Sequence, residues 1–161
     1  MPPPSVPVLP FEVMVRGRPV QILETPGQVT MLNEQFTNWR LIYLDAKHDS
    51  DPDPSFFGDS VGHWEGDALV VDVTNFNSKG VYRGSGSGLH LIERYKRTPD
   101  GGLRYEVTLE DPDTWPRTWT AALDLRPQQA GMFEYACHEG NYAMKNMLTA
   151  SRAAEAPAAA R

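Results

Sequence analysis

The chain has 161 residues, 40% of them hydrophobic and 22% charged, with a formal net charge of −6 at pH 7. That length suits one buried core, and the acidic balance argues against a nucleic-acid partner, because Lys96, Arg97 and Arg104 around one hairpin are too few to release counterions from a phosphate backbone. No apolar run approaches the roughly 20 residues of a membrane span, and a single cysteine excludes both an internal disulfide and a C-x-x-C metal knuckle.

The start, MPPPSVPVLP, favours an extended proline-rich arm over residues 1–10. It has neither the cationic nor the apolar region of a secretory signal, so the expected location is cytoplasmic. A single domain is expected over 11–152, followed by a frayed tail over 153–161. Phe11 to Val15, Pro19 to Glu24, Gln28 to Leu32 and Asn38 to Asp45 read as strands, rich in Val, Ile, Leu and aromatics and punctuated by Arg-Gly-Arg-Pro and Thr-Pro-Gly. The acidic stretch KHDSDPDPSFFGDS that follows has no periodicity and reads as a loop.

Gly66-Asp67 fits a two-residue hairpin turn led by glycine, joining Val61–Glu65 to Ala68–Thr74. Glycines 80, 84, 86 and 88 then make a slack connection, or a lid. The clearest hairpin is LHLIERYKR-TPDGG-LRYEVTLED. A loop centred near Asp100 pairs Arg94 with Glu106, Ile92 with Thr108 and His90 with Glu110, although it also sets Lys96 against Arg104. Strand alternation collects Leu89, Leu91 and Tyr95 on one apolar face, and Leu103, Tyr105, Val107 and Leu109 on another. Glu93 belongs to the first of these faces. A carboxylate there must be hydrogen-bonded, ion-paired or shifted towards its neutral form.

Trp119–Leu125 and Met132–His138 complete the expected strands. Asn141–Arg152 places Met144, Met147 and Leu148 at helical spacing. Nine or so antiparallel strands and one late helix bury their sheet face and edges best by closing up. The expected fold is therefore all-β: a small antiparallel β-barrel of the lipocalin or calycin kind with a short C-terminal helix, or else a two-sheet β-sandwich.

An apolar barrel interior with a few ionisable groups suits proton transfer without a cofactor. The leading expectation is an isomerase, lyase, hydratase or cyclase acting on a small, largely apolar molecule. Glu93 or His138 would be the acid or base, with Tyr43, Asp45 and His90 orienting. The walls would be Trp39, Trp64, Tyr95 and Tyr105, with Glu139 and Tyr142 at the rim. Glu93 could instead be a structural carboxylate paired to an arginine. In EYACHEGNY, strand alternation puts His138 and Glu134 opposite Cys137, so the thiol and the imidazole do not form a nucleophilic pair. Two alternatives are a carrier that uses the same cavity without chemistry, and a metal-dependent enzyme that assembles His48, His63, His90 and His138 from distant strands with Asp45 or Glu93. An exposed sheet edge could join two chains as a homodimer.

At GHWEGDALVVDVTNFN, LHLIERYKR and EYACHEGNY the chain resembles a family of bacterial proteins without an assigned activity. That family's pattern is G-[HR]-W-E-G-D-T-L-V-V-D-T, then N-F-N, L-H-V-x-E-R-F and Y-x-C-x-E-x-N. The resemblance runs from about Phe11 to Met147 and implies one coherent domain, not a reaction. Many members are longer and look secreted. They read D-G-R-P-H-P after the Tyr43 strand, where this chain has Asp45-Ala-Lys-His-Asp, which alters the rim of the expected pocket.

Overall fold

The structure is a computed structural model that describes residues 19–35, 38–79, 84–136 and 138–155. The proline-rich arm, the expected strand at Phe11 to Val15, and Cys137 lie outside the described residues.

Eight strands form one sheet in chain order: β1 (Val20–Thr25), β2 (Gln28–Asn33), β3 (Trp39–Leu44), β4 (Asp59–Glu65), β5 (Ala68–Thr74), β6 (His90–Arg97), β7 (Leu103–Glu110) and β8 (Trp119–Leu125). The sheet is curled into a half-barrel, and a helix α1 (Ala143–Glu155) follows it. No ladder joins β8 back to β1 among the described residues, so the curl stays open at that seam.

Alternation decides what lies inside. Val29 and Met31 of β2, Leu69, Val71 and Val73 of β5, Leu91 and Tyr95 of β6, and Tyr105, Val107 and Leu109 of β7 form the buried core. Trp119, Ala121, Leu123 and Leu125 of β8 pack against it from the last strand. Gly66, at a φ of 63°, leads the tight turn between β4 and β5.

One ladder departs from the all-antiparallel expectation. β3 and β4 run parallel, paired only at Tyr43↔Val61 and Leu44↔Gly62. The long connection from Asp45 to Gly58 carries the chain back along β3 before β4 begins, which two antiparallel neighbours would not need. Asp45 opens that connection at a φ of 53°. Gly62 permits the close approach of the two strands, since a Cβ there would lie 2.8 Å from Ile42 Cγ2 and 3.3 Å from the Val70 carbonyl oxygen.

Two further expectations are corrected after β8. Residues 131–136 form no strand, and their side chains are exposed. Their alternation is that of a strand, but among the described residues no neighbouring edge pairs with them; the Phe133 N–H ties the segment to the domain by donating to Glu34 Oε2 at 2.9 Å. The helix reaches Glu155, three residues into the expected tail, and no residue of it is buried. Asn141 Oδ1 accepts the Ala143 N–H at 3.1 Å and caps its start.

Candidate functional site

A cavity of about 380 Å³ opens at one end of the half-barrel. Val20 and Ile22 of β1, Met31 of β2, Leu69 of β5, Leu103 of β7 and Leu125 of β8 line it, so the curl brings the first and last strands to face one another across it. Glu24, Asp67, Arg97 and Arg126 line its solvent side, together with the half-exposed Trp64. The floor includes Tyr95.

Tyr95 links the cavity to a buried polar cluster. Tyr95 and Tyr105 stand directly opposite in the β6–β7 ladder, with ring centroids 4.9 Å apart. Both phenols donate to Glu93 Oε1, at 3.0 Å from Tyr95 and 2.7 Å from Tyr105. Glu93 Oε2 meets Arg40 Nη2 at 2.6 Å, a contact of ion-pair length without the alignment of a directed hydrogen bond. Arg40 Nε donates to Ser60 Oγ at 2.9 Å. Arg40 reaches from β3 to β6 past β4, whose inward positions are the small Ser60 and Gly62. Glu93 is fully buried and Arg40 nearly so.

The electrostatics follow from that burial. Desolvation pulls the Arg40 guanidinium down, but the Glu93 carboxylate and the two nearby phenols outweigh it and hold Arg40 above its ordinary value. Burial first, and the Glu93 charge second, push the Tyr95 and Tyr105 phenols well above theirs. The cluster is a charged pair with two neutral phenols locked onto it. The arginine that the sequence allows as a partner for Glu93, without naming it, is Arg40, which alternates with Ile42 on the inner face of β3 where Trp39 and Tyr43 are expected.

The expected site residues separate into four places. Glu93, Tyr95 and Tyr105 are joined in the core, and Trp64 lines the same cavity as Tyr95. Trp39 and Tyr43 point outward, at 60% and 47% exposure, and Asp45 is exposed beyond them. The inward placement of Trp39 and Tyr43 is therefore corrected: on a strand whose two faces both carry apolar bulk, the buried pair is Arg40 and Ile42. His138, Glu139 and Tyr142 lie exposed between β8 and α1 rather than at the cavity.

His90 belongs to a second cluster, on the outer face. His48 Nδ1 meets Asp59 Oδ2 at 2.6 Å and His48 Nε2 meets Asp72 Oδ1 at 3.0 Å. His90 Nε2 meets the same Asp72 oxygen at 3.0 Å, and His90 Nδ1 meets Glu110 Oε2 at 3.2 Å. These are successive imidazole–carboxylate pairs. Among the described residues no group of three or more His, Cys, Asp or Glu side chains is arranged to hold a metal ion. The sequence signal for this cluster was partial: the β6–β7 register paired His90 with Glu110, but nothing local announced that His48 would fold back onto Asp72. Among the described residues no helix is long and apolar enough to cross a membrane.

Comparison with known proteins finds no match to a protein-family model, to a curated protein or to a solved structure.

Proposed function

We propose that the protein binds a small, largely apolar molecule in the cavity between β1 and β8, as a carrier or receptor without chemistry of its own. The supporting observation is the cavity itself: about 380 Å³, walled by aliphatic side chains from both ends of the sheet and open to solvent on one side. That volume is at the lower end of the range for small-molecule pockets, roughly 300–1,000 Å³.

Geometry favours binding over acid–base catalysis because Glu93, the buried carboxylate that Tyr95 links to the cavity, is held at both oxygens. Glu93 accepts two phenols at one oxygen and faces a guanidinium at the other. An acid or base for turnover needs a lone pair or proton within reach of substrate. A second reading, an isomerase, lyase, hydratase or cyclase without a cofactor, keeps one support: Tyr95 both lines the cavity and donates to Glu93. In that reading the Tyr95 phenol is the group that touches substrate.

The test is titration with a neutral apolar fluorophore, N-phenyl-1-naphthylamine, against the wild-type chain and Leu125→Trp. Leu125 is only partly buried, so the indole can fill the cavity mouth without invading the core. The expected result is one-site binding that the variant loses while its melting curve is kept. Equal binding to both proteins would remove the cavity as the site.

A further inference from the structure

We propose that His48 is a proton-operated clasp, which holds residues 46–51 of the β3–β4 connection against the outer face of the sheet and releases them when the imidazolium loses its proton.

The clasp follows from counting protons. A neutral imidazole carries one N–H, whereas the imidazolium carries two. Both ring nitrogens of His48 face carboxylate oxygens, Asp59 Oδ2 at 2.6 Å and Asp72 Oδ1 at 3.0 Å. Only the protonated ring donates to both. Deprotonation turns one nitrogen into a lone pair aimed at an anion, and the contact changes from attraction to repulsion.

The groups facing His48 come from every strand beneath it. β4 supplies Asp59 and β5 supplies Asp72, with Thr74 Oγ1 3.5 Å from Nδ1. β6 supplies His90 and β7 supplies Glu110, both acting through Asp72, whose carboxylate His90 shares. Three carboxylates thus surround two imidazoles, an excess of negative charge that favours the protonated ring. Partial burial pulls His48 down, but its hydrogen bonds to Asp59 and Asp72 outweigh that and leave it above its ordinary value. The stabilisation is therefore complete below the unfolded histidine value of about 6.5 and is lost as pH rises through the higher folded value.

What the clasp holds is equally definite. The Asp45 N–H donates to the Gly62 carbonyl at 2.8 Å, and the Pro52 carbonyl accepts from Asn75 Nδ2 at 2.9 Å. Beyond Pro52 the connection is fixed by backbone bonds of Ser55 with Asn75 and Asn77, which do not titrate. Between those anchors His48 is the one residue of 46–51 that is not exposed, and the described contacts of the segment with the sheet are its own.

Lys47 makes the release measurable, since trypsin cleaves after it. The full chain is digested between about pH 6 and pH 9 in EDTA, and the rate of Lys47–His48 cleavage is divided by that of an unfolded peptide of the same sequence, which cancels the pH dependence of the protease. Cleavage that follows the open population should rise across this range in the wild type, by the factor set by the separation of the folded and unfolded His48 midpoints. His48→Gln, which keeps one donor and cannot titrate, should show a flat ratio. The His48 ring resonances, followed by NMR in the wild type, should titrate with a midpoint above that of the unfolded peptide and coincide with the cleavage midpoint. A wild-type ratio that stays constant with pH, a variant that keeps the wild-type rise, or a His48 midpoint at or below the peptide's would each overturn the clasp.

Discussion

Arg40 and Glu93 meet at 2.6 Å inside the half-barrel, though two strands lie between theirs in the sheet. The contact is a chord across the curl, and it acts between charges that water does not reach. Removing one partner leaves the other buried and uncompensated, a change that costs about 3–5 kcal/mol. Glu93→Gln is accordingly expected to lose that much stability in urea unfolding, with most of the loss shared by Arg40→Met. The double variant should cost clearly less than the two single changes added. A loss below about 1 kcal/mol in Glu93→Gln would show that the pair contributes little to holding the curl.

The two phenols give a pH signature. Both Tyr95 and Tyr105 are held well above their ordinary value, by burial and then by Glu93. The folded state keeps these protons where the unfolded chain gives them up, so their contribution is present below the unfolded tyrosine value of about 10 and falls away above it. Of the six tyrosines in the chain, Tyr95 and Tyr105 should fail to ionise before alkaline unfolding. At least two phenolate equivalents should therefore appear only together with the loss of circular dichroism. A titration completed within the folded range would refute the placement of both hydroxyls.

The parallel junction makes a prediction about glycine. At Gly62 a Cβ would press on Ile42 Cγ2 at 2.8 Å, a neighbour fixed in the core. At Gly66 nothing lies within 4 Å, and the cost of a side chain is that of its φ of 63°. Gly66→Ala should lose about 1 kcal/mol. Gly62→Ala should lose about 1–3 kcal/mol by overpacking, and should also broaden amide signals across β3 and β4. Equal spectra for the two variants would mean that the approach of β3 to β4 does not depend on the missing side chain.

Local pattern carried most of the fold. The β6–β7 register is the expected one residue for residue, from His90↔Glu110 to Lys96↔Arg104. The like-charged pair that argued against it is settled by neighbours outside the hairpin: Lys96 Nζ meets Asp67 at 3.0 Å, and Arg104 Nη1 meets Asp124 at 3.0 Å. A two-strand reading has no access to such partners. The same limit explains β3. WRLIYL carries apolar bulk on either face, and only the buried Glu93 carboxylate of β6 makes Arg40 the inward residue. At 132–136 the alternation is real but no sheet edge among the described residues takes it up, so periodicity alone implies a strand that these residues do not form. The cavity was legible only as a consequence of closure. Its place at the β1–β8 seam depends on a curl that no local pattern encodes.

Tyr95→Phe separates the two functional readings. The ring stays in the cavity wall, so packing is kept, while Glu93 Oε1 loses the donor at 3.0 Å and retains Tyr105 at 2.7 Å. A hydrogen bond to a charged group contributes about 1.5–3 kcal/mol, and urea unfolding should register a loss of that size. If the cavity only binds, affinity for the neutral fluorophore should change by less than about threefold, since an apolar ligand gains from the retained ring and its area. If the phenol acts on substrate, affinity survives in the same way but any turnover found in the wild type disappears. A large fall in fluorophore affinity, with the fold intact by circular dichroism, would count against both readings, because it would mean that the hydroxyl itself shapes the ligand's place.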